Sequence, residues 1–213
     1  MISRVEEVQC KRTNCRLKVG EERIPVIVVD SFPELGKLTA YRFIEWVQKN
    51  PAGVISLPTG KTPEYFIKEV LRLKNRWSEK DIHKELEAAG IDPAVEPEFE
   101  NLKFVQIDEF YPINPRHHNS FYHYVKKYYI EGFGIPLENA LLINCEEIGL
   151  SEEESLEDIW GDEGVDLSLR YRNPEDDIEE RRQTVIRRID QWCVEYEDRI
   201  RELGGIGFFL GGI

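Results

Sequence analysis

Val54-Ile55-Ser56-Leu57-Pro58-Thr59-Gly60-Lys61-Thr62-Pro63 runs from an apolar strand through a tight polar loop straight into a helix. Val54 to Leu57 show no polar alternation, the pattern of a strand in a parallel sheet covered on both faces, and Pro58 cannot continue such a strand. Thr62 reads as the N-cap of the following helix and Pro63 as its first residue. The N–H groups of Gly60, Lys61 and Thr62 then point at whatever lies over the helix start, for which an anion is the natural occupant. Turn geometry alone would also use these residues. Gly60-Lys61-Thr62 matches the end of a nucleotide-binding P-loop, but Ile55 stands where that loop needs its first glycine, and a β-branched residue cannot make the wrap-around turn.

Outward from this stretch, strands and helices alternate. Pro25 to Asp30 reads as a buried strand, and Ser31 with Glu34 as a capping box for a helix reaching about Asn50, with Leu35, Ala40, Phe43, Ile44 and Val47 on its inner face. Gly53 to Leu57 is the second strand, followed by a helix carrying Phe66, Val70 and Leu73 that fades into a polar section from Ser78 to Gly90. Lys103 to Ile107 is the third strand. A loop through Pro112 and Pro115, a helix from about Asn119 to Glu131 and a short strand at Ala140 to Ile143 come next. Residues 146–177, with Glu152-Glu153-Glu154, Gly161 and Gly164, break the rhythm as an acidic insertion, and such charge runs are usually solvated faces. A long amphipathic helix then carries Val185, Ile189, Trp192, Tyr196, Ile200 and Leu203 as core residues, and ends at Gly204-Gly205 before a last strand, Ile206 to Leu210.

This alternation predicts an α/β fold, a three-layer Rossmann-like parallel sheet with helices on both faces, in a single domain over residues 1–213. Ligands of such sheets sit beyond the strand C-termini. Three loops therefore matter: Pro58 to Thr62, Asp108 to Ser120, and Gly211-Gly212-Ile213. Asp108 and Glu109, at the end of the third strand, are placed to meet a ligand held by the first loop, although an isolated Asp-Glu pair more often caps a helix or faces solvent.

A net charge of −13 argues against a nucleic-acid or anionic-membrane partner, both of which need a basic footprint, but leaves room for a small anion held locally. Cys10, Cys15, Cys145 and Cys193 are scattered without metal-ligand spacing and read as the reduced thiols of a cytoplasmic protein, with a Cys10–Cys15 loop disulfide as the alternative. Met1 to Glu7 has no apolar signal core, and no segment has the length of a membrane span.

Leu57 to Pro63, then Ile107-Asp108-Glu109-Phe110-Tyr111-Pro112 with His117, His118 and Ser120, then Ile206-Gly207-Phe208-Phe209-Leu210-Gly211-Gly212-Ile213 together resemble the glucosamine-6-phosphate deaminase family in order, spacing and flanking strands. The resemblance runs from about Pro25 to Ile213, apart from an acidic stretch longer than the usual family connection. It implies opening of a phosphorylated amino sugar, proton transfer between C2 and C1 through an enediol, and release of ammonia to leave fructose 6-phosphate. Asp108 matches the family's proton-transfer base; Thr59, Gly60, Lys61 and Thr62 match its phosphate loop; Glu109, Gly211 and Gly212 match the wall of its sugar site. Neither a metal nor an organic cofactor is implied, and a homo-oligomer is left open.

Three departures accompany the match. Lys61 replaces a small residue, Phe121 stands where the family often has tyrosine, and an Asp-Gly-His stretch and later glutamate of the family have no counterpart before Ile213. The resemblance therefore implies the N-terminal portion of a longer enzyme, lacking its C-terminal part and with little activity alone. A phosphogluconolactonase-like lactone hydrolase and a non-catalytic sugar-phosphate sensor, with the acidic stretch as its partner surface, are the alternatives.

Overall fold

A computed structural model describes residues 3–13 and 26–212. Its elements are α1 (Arg4–Thr13), α2 (Phe32–Lys49), β1 (Val54–Ser56), α3 (Glu64–Asn75), α4 (Lys80–Ala89), β2 (Lys103–Val105), α5 (Phe121–Val125), β3 (Ala140–Leu141), α6 (Leu156–Trp160), α7 (Asp177–Glu202) and β4 (Phe208–Phe209). The four strands form one parallel sheet in the order β3-β2-β1-β4. Successive residues of a strand face opposite ways, so each strand divides its apolar side chains between two layers. Ile55 and Phe104 enter the main core with Phe43 of α2, Phe66 of α3 and Ile82 of α4. Val54 and Val105 face the other way, onto Tyr196 of α7. Helices thus cover both faces, as the unalternating Val54 to Leu57 requires.

Helices α2 and α3 cross closely at Gly36. A Cβ on Gly36 would lie 2.7 Å from the Phe66 backbone nitrogen, so no larger residue fits unless the helices separate. Phe43, wholly buried, meets Phe66 edge-on at 5.5 Å and also touches Phe99, Phe133 and Phe208. Burying a side chain of this size is worth about 2 kcal/mol.

Several expectations fail in instructive ways. Pro25 lies outside the described residues, and 26–30 form no strand of the sheet, with Val28 59% exposed. β-branched composition makes a strand only where an adjacent strand offers a ladder. Ser31 does cap α2, its Oγ accepting from the Glu34 N–H at 3.4 Å, but the Glu34 carboxylate accepts from the Asp30 N–H rather than closing the box on Ser31. Thr62 does not cap α3, which begins at Glu64 behind Pro63. Within the polar section from Ser78 to Gly90 stands a full helix, α4, because Ile82, Leu86 and Ala89 recur on one buried face and Gly90, at φ +88°, ends it. Its Glu85 ties three helices together, accepting from Tyr41 at 2.5 Å and pairing with Arg72 at 2.6 Å and Lys37 at 2.9 Å. Residues 146–177 also hold more than solvated charge: Ile159, Trp160 and Leu169 pack with Val185 and Ile186 of α7.

Helix α1 was not expected, and a buried carboxylate holds it. Glu45 accepts from the Ser3 hydroxyl at 2.6 Å and the Arg4 N–H at 3.0 Å, and it pairs with Lys49 and Arg42. Burial alone would raise the pKa of Glu45, but the hydrogen bonds from Lys49, Ser3 and Arg4 outweigh it and bring the value from 4.5 to about 2. A lowered folded-state pKa means that the clasp is complete at neutral pH and is lost as pH falls through that interval. The amide-exchange protection factors of residues 4–13, taken relative to the intrinsic rate at each pH, should therefore fall on acidification ahead of global unfolding. Protection that persists until the whole domain unfolds would show that Glu45 does not hold α1.

Candidate functional site

Beyond the carboxyl ends of β1, β2 and β4 lies a cleft of about 340 Å³ lined by Leu57, Pro58, Thr59, Thr62, Ile107, Asp108, Phe209, Leu210, Gly211 and Gly212. All three strand-end loops contribute to it. Hollows of about 450 and 460 Å³ flank α7 and the acidic stretch, but the first contains none of these loops and the second only Pro112 and Asn114.

The first loop is shaped by its glycine and by a buried tyrosine. Gly60 sits at φ +87°, a left-handed conformation that side chains resist, with open space around it. The wholly buried Tyr129 donates its hydroxyl to the Pro58 carbonyl at 2.5 Å. Thr59 and Thr62 line the cleft, whereas Gly60 and Lys61 are exposed beside it.

On the second loop the two carboxylates part company. Asp108 lines the cleft, and partial desolvation, reinforced by the neighbouring charge of Glu109, raises its pKa above the ordinary aspartate value. Glu109 is absent from the lining and instead grips the start of α5. One of its oxygens accepts from the Phe110 and Phe121 N–H groups at 2.9 and 3.0 Å, and the other from the Ser120 hydroxyl and Tyr122 N–H, both at 2.8 Å. A carboxylate fits there because the first N–H groups of a helix have no partners within it. Of the three residues expected in the wall, Gly211 and Gly212 reach the cleft. A Cβ on Gly212 would lie 3.4 Å from Pro58 Cβ and 3.8 Å from Thr62, filling the gap between the first and last loops. His117 and His118 pack together at 4.4 Å, and His117 Nδ1 accepts from the Asn119 N–H, a turn contact outside the cleft.

Gln106, to which sequence reading gave no role, supports Asp108 from beneath. Its buried amide donates to the Asp108 carbonyl at 2.9 Å and accepts from the Ile143 N–H at 3.0 Å. Its own carbonyl accepts the Tyr196 hydroxyl at 2.7 Å. A glutamine ending an apolar strand was the available signal, since a buried amide must find partners. Among the described residues, no group of three His, Cys, Asp or Glu side chains is arranged to hold a metal ion, and no helix is long and apolar enough to cross a membrane. Cys145 and Cys193 carry free thiols, while the Cys10–Cys15 pairing falls on Cys15, outside the described residues.

An open parallel sheet covered by helices on both faces, with its cleft at the carboxyl edge, defines this chain as an α/β protein of the Rossmann-like class. In sequence it resembles the glucosamine-6-phosphate deaminases: it is 24% identical over 186 residues to one from Alkaliphilus oremlandii, covering 87% of this chain and 54% of the relative. It is likewise 24% identical over 188 residues to one from Clostridium perfringens strain 13, covering 88% and 54%. In fold it is similar to a monomeric glucosamine-6-phosphate deaminase of the NagB superfamily, with a TM-score of 0.50 at 17% identity over 84% of this chain and 50% of the other. The chain spans about half the length of the curated relatives it matches. No family model matches it.

Replacing Gln106 by Leu strands the Asp108 carbonyl and the Ile143 N–H together. Two part-buried backbone groups that lose their side-chain partner should lower unfolding stability in urea by about 1 kcal/mol or more. A loss under about 0.5 kcal/mol would mean that neither bond is needed.

Proposed function

We propose that this chain binds a phosphorylated amino sugar and supplies the proton-transfer base of a glucosamine-6-phosphate deaminase-like site. The observation that carries the reading is the meeting of Thr59 and Thr62, Asp108, and Gly211 with Gly212 in one cleft. Loop N–H groups and threonine hydroxyls suit a phosphate, and the nearby glycines leave room for a sugar. Gly60 shapes the loop, and Lys61 adds a positive charge beside it.

The chemistry follows from the acidity of a C–H bond next to a carbonyl. In the open-chain amino sugar, Asp108 takes the proton from C2, and the electron pair moves into an enolamine as the C1 aldehyde oxygen takes up a proton from water. The same carboxyl returns the proton to C1, leaving an iminium at C2 that adds water and releases ammonia, which yields the ketose phosphate. A raised pKa suits this task, since a carboxylate still ionised at neutral pH becomes a stronger base. The reading places the chain in the cytoplasm, as one domain that carries the acidic stretch 146–177 as an insertion.

Asp108 is the one titratable side chain among the described residues lining the cleft. Opening the sugar ring and relaying its protons call for more groups than that. Residues 1–213 alone should therefore bind glucosamine 6-phosphate yet release ammonia slowly, and release at the rates of full-length deaminases would refute this. The same observation favours a second reading, a sugar-phosphate sensor without catalysis.

Asp108→Asn separates the two. The enzyme reading expects binding within about threefold of wild type by calorimetry and any ammonia release reduced by about 100-fold. A variant that leaves a measurable release rate unchanged would support the sensor. Turnover of a phosphorylated gluconolactone in place of the amino sugar would instead identify a lactone hydrolase.

A further inference from the structure

Asp108 and the Pro58–Thr62 loop follow the paired strands β2 and β1, whose ladder joins Val54 to Lys103 and Ile55 to Phe104 and so sets the spacing of the strand ends but not the course of the loops beyond them. One helix touches both. Its first turn, at Ser120 to Tyr122, is held by Glu109, the residue next to Asp108. About two turns further on, Tyr129 reaches the Pro58 carbonyl. Between these ends the helix widens into a π-helical turn over Lys126–Glu131. Such a turn shifts the face on which later side chains emerge and occurs often at functional sites. The Tyr129 ring stacks on Phe104 of β2, with centroids 5.6 Å apart, so that one residue packs on the strand leading to Asp108 and bonds the loop that follows β1.

We propose that this helix is a ruler for the ligand, and that Tyr129 and Glu109 are positioning residues that set the separation between the Asp108 carboxylate and the anion-binding loop. The inference rests on the sugar-phosphate reading and deepens it. A site with its two ends held at fixed separation selects ligands by the number of atoms between the phosphate and the reacting carbon, and so prefers a hexose 6-phosphate to a pentose 5-phosphate. Tyr129 is suited to this role because its hydroxyl is its only polar atom, it is wholly buried, and its partner is a carbonyl within the loop rather than another side chain.

Tyr129→Phe keeps the ring and removes only the bond to Pro58. Calorimetry on the 213-residue chain would compare glucosamine 6-phosphate, ribose 5-phosphate and inorganic phosphate. Inorganic phosphate needs the loop alone, so its affinity should stay within twofold. Glucosamine 6-phosphate needs both ends in register and should weaken at least fivefold, and the preference for hexose over pentose phosphate should shrink. Equal weakening for all three ligands would overturn the proposal, since the bond would then merely shape the loop, and so would unchanged binding of all three. Glu109→Gln, which weakens the opposite end of the helix, should reproduce the pattern and serves as the test if Tyr129→Phe fails to fold. Should the wild-type chain bind none of the three, the sugar-phosphate reading itself fails; should wild type bind them and both variants keep its selectivity, only the ruler fails.

Discussion

The buried amide of Gln106 is the joint on which the cleft depends. It lies at the carboxyl end of β2, where the sheet's regular hydrogen bonding runs out and the functional loop begins. With one end it holds the Asp108 carbonyl and with the other the Ile143 N–H, while the single proton of the Tyr196 hydroxyl of α7 is shared between the backbone carbonyls of Gln106 and Leu141, each 2.7 Å away. A loop leaving a buried strand must find partners for its polar backbone as the ladder ends. Here one side chain supplies them and gives Asp108 a rigid base.

Electrostatics explains how two adjacent carboxylates share one strand end. Asp108 and Glu109 repel, and the repulsion contributes to the raised pKa of Asp108. Glu109 is compensated by the partial positive charge and free N–H groups at the start of α5, which leaves Asp108 as the carboxylate facing the cleft. The chain's net charge of −13 does not oppose binding of a small anion there, because such a contact is decided within a few ångströms by amides and hydroxyls.

Much of this was legible from the sequence because it is written in local pattern. The run Val54 to Leu57, with no polar alternation, foretold a doubly covered parallel strand, and the spacing from Val185 to Leu203 foretold α7, including the core placement of Tyr196. Loops after such strands must converge at one edge, so Thr59, Thr62, Asp108, Gly211 and Gly212 could be grouped before any geometry was known. What stayed hidden depends on partners distant in the chain. Tyr129 meets Pro58 across 71 residues, and Tyr196 meets Gln106 across 90. Neither contact leaves a trace in periodicity. The misread run from Pro25 to Asp30 makes the converse point, since its β-branched residues satisfy every local criterion for a strand while its place in a sheet depends on an edge far away in sequence. Glu109 was grouped with Asp108 by adjacency, and only the position of α5 turned it away from the cleft.

The lining of the cleft has a consequence for how it responds to its surroundings. Thr59, Thr62 and the loop amides do not titrate, and Asp108 is the only titratable side chain among the described residues that line the cleft. On the proposed reading, an anion held by this half of the site would meet groups that do not titrate, so its attraction would follow the ligand's own ionisation and leave Asp108 to titrate separately. A phosphate monoester, which becomes a dianion near neutrality, would bring its own pH sensitivity to a cradle that has none.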